Sequence, residues 1–442
     1  MRERVTAGVG GGGDGATPVP EIVTLENGLR VVASPIPHAR SVAISLYVAA
    51  GARYEAAPAD AGVSHFVEHL CFKGTARRPT PRAVAVEIDG LGGSINAATD
   101  RELTVYYAKV TPENAVQALD MLVDVVQSSL FRDEEIERER GVILEELAAV
   151  EDAPDEQVSI VLDGLLWPQQ PLGRDVAGTP ASVAAIEAGR LRAYYGEQYV
   201  ANGVVIAVGG AVEPDAAHEL VRRTAGGWAR GSVAADWVRA QAEPRGSRVQ
   251  VLTKDTEQAH VSLGMRGLDA SDEDRYALGL LSVVLGEGMS SRLFMRLREE
   301  LGLCYDVHSG ASYLRDAGTF AVHAGVDPDN TTETVEEIVR ELGRVRATVT
   351  AEELQRAQQL VRSRVQLHME DSRAVSGWYG TRVALGLPLR DPDESIACFD
   401  RVTLEDVGRV AQRLIVEDEL HLAVVGPVAD PEPLEARLRF DV

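Results

Sequence analysis

Val110-Thr-Pro-Glu-Asn114 and Val326-Asp-Pro-Asp-Asn330 stand 216 residues apart (326 − 110), and each opens a helical pattern. Thr111 and Asp327 are capping residues, Pro follows at the first helical position, and an acidic residue comes next. The same spacing recurs on either side. Val42-Ala-Ile-Ser-Leu-Tyr-Val48 and Val261-Ser-Leu-Gly-Met265 both alternate like strands and begin 219 apart (261 − 42). Gly189-Arg190 returns as Gly408-Arg409, and AVGGAV (207–212) returns as AVVGPV (423–428). Four matches in one order, at a nearly constant offset, indicate one unit written twice. Strands clustered between long amphipathic helices make each unit α+β, with a mostly antiparallel sheet packed by helices.

The boundaries follow from the repeat. Residues 1–18 read as a flexible tail, 19–228 as the first half, 229–246 as a linker with Gly, Pro and charged residues, and 247–442 as the second half. The 442 residues are ample for two cores. The net charge of −24 (44 Lys+Arg against 68 Asp+Glu) excludes general nucleic-acid binding and favours cationic partners. Three cysteines without paired spacing exclude a disulfide framework and point to a reducing, cytoplasmic setting. No apolar run is long enough to span a membrane, and residues 1–18 lack the apolar stretch of a secretion signal.

The chemistry concentrates in Ala61-Gly-Val-Ser-His65-Phe-Val-Glu68-His69-Leu-Cys-Phe-Lys-Gly-Thr75, which reads as a helix closed by Gly74. His65 and His69 are four apart, so both imidazoles stand on one face and can reach one Zn²⁺. Glu68 lies near that face, placed to act on a water. A third protein ligand must come from elsewhere. The helical stretch Asp133–Ala153 carries Glu139 and Glu146 seven apart, on one face two turns apart. Both can look toward a metal, and both can equally be solvated charges. Cys71, beside the motif, reads as packing. Asn330-Thr-Thr is a glycosylation sequon without a secretion signal to use it, and the other histidines (38, 218, 260, 308, 323, 368, 421) form no second metal spacing.

HxxEH is the inverted motif of the inverzincins. HFVEHLCFKGT, then GGSINAATDRELTVYYAKV (92–110), then ERERGVILEEL (137–147), resemble the pitrilysin and mitochondrial processing peptidase family over nearly the whole chain. The resemblance implies a zinc endopeptidase with one Zn²⁺ per chain, built as two halves facing each other as a clamshell around small or unfolded peptides. It implies a third ligand 76 intervening residues after the second His. Residues 70–145 make that count and leave Glu146, with Glu139 as a supporting glutamate. It also implies that Glu68 is the general base, and that GEGMSSRLFMRLREELGLCYDV (286–307) supplies Arg298 and Tyr305 as substrate-facing donors. Asn96, Ala97 and Ala98 are expected to bind substrate on a strand beside the metal helix, with Asn96 facing the site. The acidic Asp152, Asp155 and Glu156 suggest tolerance of basic peptides.

In the second half an offset of 218 maps 65, 69 and 146 onto Val283, Glu287 and Arg364, which do not make a zinc set. Gly286–Ser291 is G-x-G-x-x-S without the third Gly, so a dinucleotide loop is rejected. The resemblance further implies a homodimer, or a heterodimer with a related chain. The competing reading is a non-catalytic subunit or a peptide-binding partner of a related peptidase.

Overall fold

A computed structural model describes residues 19–232, 237–241, 248–429 and 431–440. The expected tail lies outside the described residues, as does part of the expected linker.

Eleven strands are found among the described residues: β1 (Ile22–Thr24), β2 (Arg30–Pro35), β3 (Val42–Val48), β4 (Ser94–Thr99), β5 (Thr104–Val110), β6 (Val204–Gly210), β7 (Val249–Thr253), β8 (Ala259–Arg266), β9 (Cys304–Tyr313), β10 (Gly318–Val326) and β11 (His421–Gly426). They form two sheets, in the orders β1-β2-β6-β3-β5-β4 and β7-β11-β8-β10-β9. Apart from β1, the two orders superpose strand for strand. In both, one parallel pair (β2 with β6, β7 with β11) sits among antiparallel neighbours. The repeat seen in the sequence is therefore a repeat of topology, and the mixed, mostly antiparallel α/β architecture agrees with the expected class.

Two signals at the repeated helix starts behave differently from their reading. Pro112–Asn114 and Pro328–Asn330 form tight single turns, and the long helices begin just after them, at Ala115 and Thr331. Asp327 caps through its side chain, accepting from Asp329 N, whereas Thr111 makes no such bond.

The packing units are not the halves counted along the chain. The described residues of 19–147, 175–238 and 365–393 form one unit, and those of 148–174, 239–364 and 394–440 the other. Each half lends a helix to the other's sheet. Helix Pro154–Leu166 carries Val158, Leu162 and Leu166 at helical spacing, and these bury against Ala321, Ala423 and Val425 of the second sheet. Gly264 makes room for it, since a Cβ there would lie 2.8 Å from Leu162 Cδ2.

Helix Ser372–Leu385 lies on β3 and β6 of the first sheet, starting at Asp371, whose carboxylate accepts from Arg373 N and Ala374 N. Small residues let it come close. Ser41 Oγ meets Ser372 Oγ at 2.8 Å, and Ser45 Oγ meets Ser376 Oγ at 2.9 Å. A Cβ on Gly380 would stand 2.4 Å from Tyr47 Cε2 and 2.7 Å from Ala207 Cβ. Gly380→Ala therefore overpacks this seam. The expected outcome is a loss of about 1–3 kcal/mol, seen as a lower midpoint in thermal unfolding, while a substitution at exposed Glu370 leaves the midpoint in place.

Candidate metal centre

The motif forms a nine-residue helix, Val63–Cys71, which ends two residues earlier than Gly74 suggests. Val63, Phe66, Val67 and Leu70 are buried in the core of the first unit, and this fixes which way the opposite face looks. That face carries His65 and His69. Helix Asp133–Glu151 buries Ile136, Ile143 and Leu147 on one side and presents Glu139 and Glu146 to the histidines.

His65 Nε2 lies 3.9 Å from Glu146 Oε2, and His69 Nε2 lies 3.5 Å from the same oxygen. Ligands at the usual zinc distances span tetrahedron edges of about 3.3 Å. These separations therefore suit one zinc ion after small side-chain adjustments. Among the described residues, His65, His69 and Glu146 form the one group whose donor atoms all lie within 4.8 Å of one another. His65 Nδ1 is buried without a hydrogen-bond partner, so no protein group competes for that ring. A donor set of two imidazoles and a carboxylate, with Glu146 half exposed on the open side, is that of a zinc site with room for a further ligand.

Glu139 sits behind the ligands. Its Oε2 accepts from His69 Nδ1 at 3.2 Å, and its Oε1 lies 2.7 Å from Lys73 Nζ. The carboxylate thus fixes the His69 ring so that Nε2 faces the site. Burial works against its charge, but the bonds to His69 and Lys73 prevail and hold its pKa below the usual carboxylate value. Lys73 is the residue that sequence reading missed. It lies four after His69, two residues past the end of the helix, and that spacing was the available signal.

The two imidazoles differ. Burial and the neighbouring His69 push His65 down to about 4, which leaves the neutral ring one nitrogen lone pair to offer. Burial also acts against a charge on His69, but the bond to Glu139 and the charges of Glu146 and Glu68 outweigh it and raise that pKa. Glu68 is buried, and burial pushes its pKa up, against the pull of Thr99. Thr99 Oγ1 donates to Glu68 Oε2 at 2.5 Å.

That contact brings the end of β4 to the centre and also orients the strand. Side chains alternate, so Ile95 and Ala97 share the Thr99 face and pack on the core. Asn96 and Ala98 lie on the opposite, exposed face, where Asn96 pairs with Tyr107 across β5. The expectation that Asn96 faces the site is not met, and its Oδ1 accepts from the adjoining Ala97 N. Strand β4 is nevertheless the edge of its sheet, with a free side for another strand.

Arg298 and Tyr305 belong to the second unit. Arg298 lies in a π-helical turn, Phe294–Glu300, and its Nη1 donates to Tyr305 O at 2.8 Å. Its guanidinium stands 4.6 Å above the Tyr305 ring. Tyr305 is 75% exposed, so it is not a core tyrosine.

The positions that correspond to the ligands in the second half hold an ion pair instead of a donor set. Arg364 Nη1 meets Glu287 Oε2 at 2.5 Å, Ser282 Oγ donates to Glu287 Oε1 at 2.6 Å, and Val283 is buried. A guanidinium thus balances the one carboxylate retained there.

Comparison with known proteins shows the family. The family described as insulinase (peptidase family M16) matches residues 30–180, and the one described as peptidase M16 inactive domain matches residues 185–361. An uncharacterized zinc protease of Streptomyces coelicolor is 35% identical over 418 residues, covering 92% of this chain and 90% of its own. One from Bacillus subtilis is 35% identical over 409 residues, covering 91% and 97%. A protease from Helicobacter pylori shares the fold with a TM-score of 0.87 at 22% identity, covering 93% of this chain and all of its own. A putative M16-like peptidase from Alicyclobacillus acidocaldarius gives 0.81 at 23% identity, covering 92% and 97%. The chain belongs to the pitrilysin, or M16, peptidase family. The inactive-domain match includes Val283 and Glu287 and ends three residues before Arg364.

The geometry separates three glutamates of one helix. After exhaustive dialysis, Glu146→Gln is expected to hold well under one zinc per chain by elemental analysis, whereas Glu145→Gln stays at one. Glu139→Gln is expected to keep the ion but weaken it about 10–100-fold in a chelator competition.

Proposed function

We propose that this protein is a zinc-dependent endopeptidase acting on small or unfolded peptides, with one Zn²⁺ held by His65, His69 and Glu146. The observation that carries the reading is the convergence of those three side chains beside a buried glutamate of raised pKa. The bound zinc would polarise a water and the scissile carbonyl at a position the protein leaves open.

The chain's own groups supply the rest. Glu68, raised by burial, is a stronger base than an exposed carboxylate, and it takes a proton from the attacking water and returns one to the leaving amine. Thr99 holds one oxygen of Glu68, which leaves the other for the water. The free edge of β4 offers backbone groups to an extended peptide, so recognition there depends on main chain more than on the Asn96 or Ala98 side chains. Arg298 and Tyr305, both in the second unit, are the donors that the family resemblance assigns to the substrate.

Basic peptides fit the second unit, in which Asp155 and Asp306 line a cavity of about 350 Å³ together with His260, His308 and His323. Burial and His308 press His323 down to about 4, and burial lowers His260. The non-catalytic alternative expects an incomplete motif, whereas every group that the reaction needs is present here.

Glu68→Gln is the direct test. It keeps the shape and the zinc but cannot accept a proton, so the variant should bind one zinc and cleave a fluorogenic peptide about 10²–10⁴-fold more slowly. Equal turnover by the variant and the wild-type protein would remove Glu68 from the reaction.

A further inference from the structure

The helix that carries His65, Glu68 and His69 has only nine residues, and its N-terminus lacks a cap of its own. Gly62 occupies the cap position with φ +91°, and a Cβ there would lie 2.4 Å from Ala177 O. No residue with a capping side chain fits in that place. The first-turn N–H groups are buried, and a buried N–H left unpaired costs about 1–3 kcal/mol. Their partner comes from outside the helix. Glu55 is 1% exposed, its Oε2 accepts from Gly62 N at 3.0 Å, and its Oε1 accepts from Ser64 N at 2.8 Å.

We propose that Glu55 is a positioning residue for the metal centre: its buried carboxylate grips the first turn and sets the rotation of the helix about its axis. The inference rests on the zinc reading above. Ser64 lies one residue before His65, and its hydroxyl is held by Tyr194 OH at 2.7 Å, so the turn is fixed both by its backbone and by a side chain. An imidazole nitrogen stands well outside the 2.3 Å backbone radius, and a roll of 10° moves it by about 1 Å. A shift of that size is half the length of a zinc–nitrogen bond of about 2.0–2.1 Å. The anion also complements the positive end of the helix dipole. In a helix this short, an error in the first turn reaches His65 and His69 together.

Three variants of the full chain test this by zinc dissociation constant, measured by chelator competition, and by kcat per bound zinc. Glu55→Ala should weaken zinc about 10–100-fold, the range for outer groups that orient ligands. Glu55→Gln keeps one accepting oxygen, should fall between that variant and wild type, and decides the matter if the alanine variant does not fold. Val123→Ala, in the buried face of helix Ala115–Gln127, serves as the purely structural control. It should lower the unfolding midpoint while leaving the zinc constant and kcat per zinc of the folded protein unchanged. Wild-type zinc constants in folded Glu55→Ala and Glu55→Gln would overturn the role of Glu55 while leaving the metal centre intact. A wild-type protein that binds no zinc would instead overturn the underlying reading, and the inference with it.

Discussion

Two glutamates seven residues apart on one helix reach the imidazoles of another, and the rest of the site is arranged around that crossing. Glu146 comes within 3.5 Å of His69 and 3.9 Å of His65, while Glu139 holds the far side of the His69 ring. Two turns of helix span about 11 Å, enough to place one carboxylate among the ligands and the other behind them. The crossing is held by ordinary core packing: Phe66, Leu70, Ile136 and Ile143 all lie in one apolar cluster. Losing that packing would separate the donors even if each helix kept its shape.

Charge follows from the same arrangement. Three carboxylates (Glu68, Glu139 and Glu146) surround two histidines, an anionic pocket that suits a divalent cation. Lys73 balances Glu139, so that residue's charge is spent on orientation. Glu68 answers to burial and to Thr99, and keeps a raised affinity for a proton. In the second half a carboxylate faces Arg364, and the pair is internally neutral. The two halves share one scaffold, and at three corresponding positions the first carries His65, His69 and Glu146 where the second carries Val283, Glu287 and Arg364.

Much of this was legible in the residues. The four matches between the two halves correspond to matching sheet orders, and the spacing of His65 and His69 put both rings on one face. Glu146 could be separated from Glu145 only through family resemblance, because local periodicity places several acids on that helix. Glu55 escaped for a physical reason. It lies ten residues before His65, across irregular turns, where neither helical nor strand spacing predicts a contact. The exchanged helices escaped for another. Ser372, Ser376 and Gly380 look unremarkable along the chain and acquire meaning only against Ser41, Ser45 and Tyr47, over 300 residues away. Asn96 was misplaced because the strand's phase is set by Thr99, whose bond to Glu68 local sequence does not reveal.

The account stands on the ligand set of the bound ion, which an X-ray absorption spectrum of the zinc-loaded protein reads directly. Predicted is a first shell of nitrogen and oxygen alone at about 2.0–2.2 Å, with the outer scattering of two imidazoles. A sulfur shell near about 2.3 Å, or a spectrum with no imidazole signature, would contradict it, since the zinc would then be held by cysteine or by other groups than His65, His69 and Glu146.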